Sequence, residues 1–193
     1  MSSRGFSLIE LIFTSALMLI VAGSAVPLTL GSVDRSRAAA AASYLAGRLM
    51  QARVEAVKRS AYVAVQFIRK PDGFWFRTYL DGNGTGVLAA DIARGVDLPI
   101  SLDEHFEQHF PGITFGICPR VTAISRSDSF DPADPIQIGA STLMSFSPNG
   151  SSSGGTLYVR GSGMVQFAIR VLGTTARART LRFDFTDAQW RSP

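Results

Sequence analysis

Two hydrophobic periods divide the chain. Residues 11–30 carry no charged side chain, and Leu, Ile, Val, Ala and Phe dominate them. Twenty residues of α-helix rise about 30 Å, the thickness of a hydrocarbon core, so this run predicts a membrane-spanning helix. Past Gly31 the pattern becomes amphipathic. Ala38, Ala42, Leu45, Leu49, Ala52 and Ala56 recur in steps of four and three, one apolar stripe, with Arg35, Arg37, Arg48, Arg53, Glu55 and Lys58 mostly off it. One long helix is expected over residues 6–58, its first half apolar all round and its second half packed on a globular head.

From residue 61 the period drops to two. Residues 62–68 and 73–80 read as strands joined by the turn Lys70-Pro71-Asp72-Gly73. Further strands are expected over 113–117, 143–146, 157–160, 164–171 and 180–185, with a short helix near 102–109. Residues 81–86, 125–135 and 149–155, rich in Gly, Ser, Asp, Asn and Pro, read as loops. The fold class is therefore α+β: a long N-terminal membrane-spanning helix packed on a small antiparallel β-sheet head.

Charge and cysteine usage refine this picture. The chain of 193 residues has a formal charge of +4. Residues 160–193 hold Arg160, Arg170, Arg177, Arg179, Arg182 and Arg191 against Asp184 and Asp187, so the rest of the chain is neutral overall. Cys118 is the lone cysteine, which excludes an internal disulfide and predicts a buried thiol in a head held by packing.

The N-terminus carries the most specific signal. Residues 1–5 form a short polar leader with one cation, Arg4, which orients the leader inward and the bulk of the chain outward. A Gly5-Phe6 junction precedes the apolar run. Glu10 lies at its start, where a carboxylate costs about 2.5–3.5 kcal/mol on insertion scales and needs a compensating role. Gly5-Phe6-Ser7-Leu8-Ile9-Glu10 resembles the prepilin signature of type IV pilin-like proteins. That resemblance implies cleavage by a prepilin peptidase between Gly5 and Phe6 and N-methylation of Phe6. It also implies that Glu10 pairs with the α-amino group of a neighbouring subunit, and that Pro27 is the proline that bends the long helix.

Three later stretches, Gln51-Ala52-Arg53-Val54-Glu55-Ala56-Val57-Lys58-Arg59-Ser60, Asp81-Gly82-Asn83-Gly84 after an aromatic strand, and Phe146-Ser147-Pro148-Asn149-Gly150, resemble the GspH/FimT family of minor pseudopilins. The family's organisation implies a leader over 1–5, a transmembrane and filament-core helix over 6–30, its amphipathic continuation over 31–60, and a periplasmic β-rich head over 61–193. The expected function is a structural pseudopilin of a type II secretion pseudopilus. It would be a single-pass protein of the bacterial inner membrane whose partners are other pilin or pseudopilin subunits. The alternative is a FimT-like minor pilin of a type IV pilus that initiates the fibre or binds DNA.

Candidate chemistry is sparse. No nucleophile elbow, triad spacing or phosphate-cradling loop is present, so no enzyme, cofactor or metal is expected. His105 and His109 stand one helical turn apart without a third ligand. Asp81, Asn83 and Thr85 alternate like the first ligands of a calcium loop, with Gly86 at the bend. The twelfth position is Ile92, with Asp91 one short, so a glycine-rich loop is expected and calcium at Asp81 and Asn83 is the alternative. Arg177 and Arg179 share a face if extended, and with Arg182 form a candidate phosphate-binding cluster. Those two arginines match a Gly-Arg-x-Arg motif of FimT-like pilins, with Ala176 in the glycine's place.

Overall fold

The computed structural model of the protein describes residues 7–125, 130–139 and 141–193, without the side chains of residues 24–30. One helix, α1 (Leu8–Arg59), opens the chain and continues through Pro27. It ends where Ser60 turns left-handed at φ 50°, and the N–H groups of Ser60 and Ala61 return to the carbonyls of Val57 and Ala56. Lys58 and Arg59 meet the negative end of the helix dipole there. Large apolar side chains over residues 8–21 are 55–76% exposed. Among the described residues no helix is long and apolar enough to cross a membrane; the described side chains of the apolar run end at residue 23.

The following elements are shorter: β1 (Val63–Lys70), β2 (Gly73–Leu80), α2 (Ala89–Arg94), β3 (Leu98–Pro99), β4 (Glu104–His105), α3 (Phe106–His109), β5 (Thr114–Phe115), β6 (Ile136–Gln137), β7 (Leu143–Phe146), β8 (Gly155–Arg160), β9 (Gln166–Val171), β10 (Ala178–Asp184) and β11 (Gln189–Arg191). Among the described residues they form two antiparallel sheets instead of the single small sheet expected. The first runs β3-β2-β1-β7, with β4 also on β2; the second runs β11-β10-β9-β8-β5, with β6 also on β8.

Alternation along the strands decides what packs where. Val63, Val65, Phe67, Phe74, Phe76, Met144 and Phe146 of the first sheet meet Leu157, Val159, Phe167, Ile169 and Val171 of the second in one core. The α1 stripe Ala38, Ala42, Leu45, Leu49, Ala52 and Ala56, together with Ala41, is buried in the same core, as its period implied. Each sheet's other face has its own cover. Val87 and Ile92 lie on Ala64, Tyr79 and Leu143. Cys118, Val121, Phe130 and Trp190 gather around Phe183. Cys118 is buried as expected, and burial pushes its thiol up from the usual value against the lowering effect of Arg160.

The helix expected near 102–109 is only α3, because Glu104 and His105 pair with Phe76 and Trp75 of β2 instead. The ring of His105 stacks on Trp75 at 4.6 Å and 4°, while Arg48 and Tyr44 of α1 hold the Glu104 carboxylate. Gly73, at φ 135°, allows the close approach of α3. A Cβ there would stand 2.5 Å from the Glu107 carboxylate, which accepts the Phe74 N–H at 2.9 Å and the Thr114 hydroxyl at 2.7 Å.

Candidate functional site

Two regions carry the residues singled out in the sequence. At the N-terminus, Gly5 and Phe6 lie outside the described residues. Glu10 occupies the first turn of α1 and has no ion-pair partner among the described residues. The two hydroxyls of the next turn are already spent on the helix itself: Thr14 donates to the carbonyls of Glu10 and Leu11, and Ser15 donates to that of Leu11 at 2.7 Å. The Glu10 carboxylate is thus the polar group left over on this otherwise apolar stretch.

Where α1 reaches the head, Asp34 accepts the backbone N–H groups of Ser162 and Gly163, each at 3.3 Å, and so ties the β8–β9 turn to the helix. Sequence reasoning passed over Asp34, although it is the first acid after the apolar run. Off the exposed Arg35, Arg37, Lys58 and Arg59, one solvent-facing stripe of α1 is uncharged: Val33, Ser36, Ala40, Ser43, Gly47, Val54 and Val57 are all exposed. With Met50 they repeat in steps of three and four, a heptad spacing. A Cβ at Gly47 would meet nothing within 4 Å, so the head itself gives no reason for a glycine there.

The arginines occupy the second sheet. Ala176 is fully buried in the core and takes a left-handed φ of 48°. The turn that a glycine would permit is therefore made by alanine, and it swings Arg177 out to solvent. Arg177 and Arg179 follow on the sheet's outer face, both exposed and without an ion pair among the described residues. Arg179 is paired in register with Arg170 of β9, which the sequence counts among the C-terminal arginines but does not join to this pair, because strand register is not written locally. The expected grouping of Arg182 with this pair is corrected. An even-numbered position on β10 faces the opposite side, and Arg182 lies instead beside Arg35 of α1 and Asp184 in a shallow cleft.

The calcium alternative meets a loop that uses its own carboxylates. Asp81 accepts the N–H groups of Asn83, Gly84 and Gly86 at 2.9–3.0 Å. Asp97, 1% exposed, accepts those of Gly82 and Leu88, and Asp91 is engaged by Arg94 and Asn83. These contacts hold the glycine-rich loop together, and among the described residues no group of three or more His, Cys, Asp or Glu is placed to hold a metal ion. His105 is turned to the Asp72 carbonyl and the Glu107 carboxylate, while His109 packs on Tyr44 and Phe110, so the two imidazoles serve separate contacts.

The geometry is that of a helix that lends one stripe to a two-sheet head and leaves its other surfaces exposed. The family model for type II transport protein GspH matches residues 41–186, from within the packed part of α1 through both sheets to just past β10. No curated protein and no solved structure matches the chain. The match spans well over half of the 193 residues, and the chain belongs to the GspH family of type II transport proteins.

Proposed function

We propose that the protein is a non-enzymatic minor pseudopilin of a type II secretion pseudopilus. In this reading residues 6–30 anchor the chain in the bacterial inner membrane, the head stands in the periplasm, and other pseudopilin subunits pack along α1. A prepilin peptidase removes residues 1–5, Phe6 is methylated, and Glu10 neutralises the α-amino group of a neighbouring subunit. The observation that carries the reading is the division of α1. Its first third presents large apolar side chains outside the head, while one stripe of its second half is core. An apolar helical stretch with one unspent carboxylate suits burial against other chains, where a charge needs a partner.

Mass spectrometry of the mature protein tests the processing. A methylated Phe6 at the N-terminus is expected, and a start beyond residue 25 refutes the reading. Glu10→Ala is expected to leave membrane insertion intact and to abolish entry into filaments; normal incorporation would remove the role given to Glu10.

A second reading, a type IV minor pilin that binds DNA, is favoured by one observation: the left-handed Ala176 completes the turn before Arg177 and Arg179. On that reading, neutralising both arginines weakens DNA binding equally across sequences and flattens its salt dependence by about two contacts' worth.

A further inference from the structure

The open length of β10 offers more than its arginines. Strand β11 pairs only with Arg182, Phe183 and Asp184, so among the described residues β10 has no strand neighbour on that side from residue 178 to residue 181. The Leu172 N–H bonds the Arg177 carbonyl at 3.1 Å. That bond sets the parity of the ladder: residues 177, 179 and 181 direct their backbone groups to β9, and Ala178 and Thr180 direct theirs outward. Arg182 and Asp184, next in the same parity, are the positions that β11 takes up. Among the described residues nothing meets the outward N–H and C=O groups of Ala178 and Thr180. Arg177 and Arg179 flank these groups, both exposed, both on the outer face and both without an ion pair among the described residues.

We infer that this edge receives an extended segment of a partner protein, about five residues long, added as an antiparallel strand and carrying carboxylates at alternate positions. An added strand would make its backbone bonds to Ala178 and Thr180. Its residues opposite Arg177 and Arg179 then fall at non-hydrogen-bonded positions, where facing side chains stand closest, roughly 4.5–5.5 Å between Cβ atoms. Two arginines two residues apart repeat at roughly 7 Å, the spacing of successive same-face side chains on the incoming strand. Backbone complementarity would supply affinity, and the alternating acids the selectivity. A nucleic acid fits the same edge less well, because the outward carbonyls of Ala178 and Thr180 oppose phosphate oxygens while a peptide strand supplies them with N–H donors. The inference does not depend on how α1 is anchored or processed.

The test uses the full chain in detergent micelles and fluorescein-labelled nine-residue peptides, read by anisotropy at low and physiological salt. A peptide with Glu at alternate positions is expected to bind. Moving the same glutamates out of alternation, or N-methylating the two amides that face β10, is expected to abolish binding. Arg177→Gln with Arg179→Gln is expected to weaken it about tenfold, the scale of two exposed ion pairs. Bound peptide should slow hydrogen exchange at the amides of Ala178 and Thr180. Equal binding of the N-methylated peptide would overturn the inference, as would duplex DNA displacing the peptide at physiological salt. Unchanged exchange at both amides, or no binding at all, would leave the arginines as charges that keep an edge strand soluble.

Discussion

At the scale of single residues, Ala176 sets two opposed effects against each other. A left-handed conformation costs a non-glycine residue about 1 kcal/mol, while its fully buried methyl contributes about 0.8 kcal/mol. Ala176→Gly is therefore expected to change the denaturant midpoint by less than about 1 kcal/mol equivalent, whereas Ala176→Val, branched and overpacked in that turn, should cost about 2–3 kcal/mol. Asp184 gives a pH prediction. The Thr186 N–H bonds its carboxylate at 3.0 Å and holds it below the usual carboxylate range, with Arg191 and Arg182 adding to the effect. A carboxyl lowered in the folded state binds fewer protons there than in the unfolded chain. Its stabilisation is thus fully present above the unfolded value of about 3.9 and is lost as pH falls through the lower folded value. Asp184→Asn retains an acceptor for Thr186 and should flatten the acid limb of melting temperature against pH. The conformation of Ala176 and the Arg191 contact of Asp184 were not legible in the sequence, because they follow from where β9 and β11 lie, whereas the Asp184–Thr186 bond spans only two residues and is local.

At the scale of elements, Gln166 is the brace of the second sheet. Fully buried, it accepts the Cys118 N–H at 2.7 Å and donates to the carbonyls of Gly116, Val159 and Phe167 at 3.0–3.1 Å. Gln166→Leu would strand the Cys118 N–H, and a buried orphan of this kind costs about 1–3 kcal/mol. The segment carrying Cys118 should loosen first, seen as faster thiol labelling under native conditions. Gly47 marks the opposite case. With open space around its missing Cβ, Gly47→Ala should stabilise the fragment of residues 32–193 by about 0.5–1 kcal/mol in a denaturant melt. Gly47→Glu should leave that melt near the parent's yet hinder subunit packing along the heptad-spaced face. The helical period disclosed α1 and its buried stripe in advance, and period two disclosed β1, β2, β7 and β9. The two- and three-residue strands β3, β4, β6 and β11 gave no local signal, since so few residues establish no period.

At the scale of the molecule, α1 and the two sheets share a single core, so the head does not end where the helix begins. Residues 32–193 retain the whole buried stripe and should fold with one cooperative transition. Residues 61–193 lose Leu45, Leu49 and five buried alanines of α1, a deficit that exceeds the margin of about 5–15 kcal/mol by which domains are stable. That fragment should show no cooperative melt by circular dichroism. Tryptophan fluorescence separates the two outcomes independently, because Trp190 donates to the Thr122 carbonyl at 2.9 Å only when the outer-face cover is formed.

What the sequence by itself determined is whatever repeats within a few residues. The uncharged run, the apolar stripe, the alternating strands and the resemblance carried by residues 5–10 all belong to this kind, because helix and strand periods are local properties of the chain. The tertiary structure alone decided the division into two sheets, the pairing of Arg179 with Arg170, the separation of Arg182 onto the other face and the open edge at Ala178 and Thr180. Each of these depends on which distant strand lies alongside, and a shift of one residue in register would reverse every one of those faces.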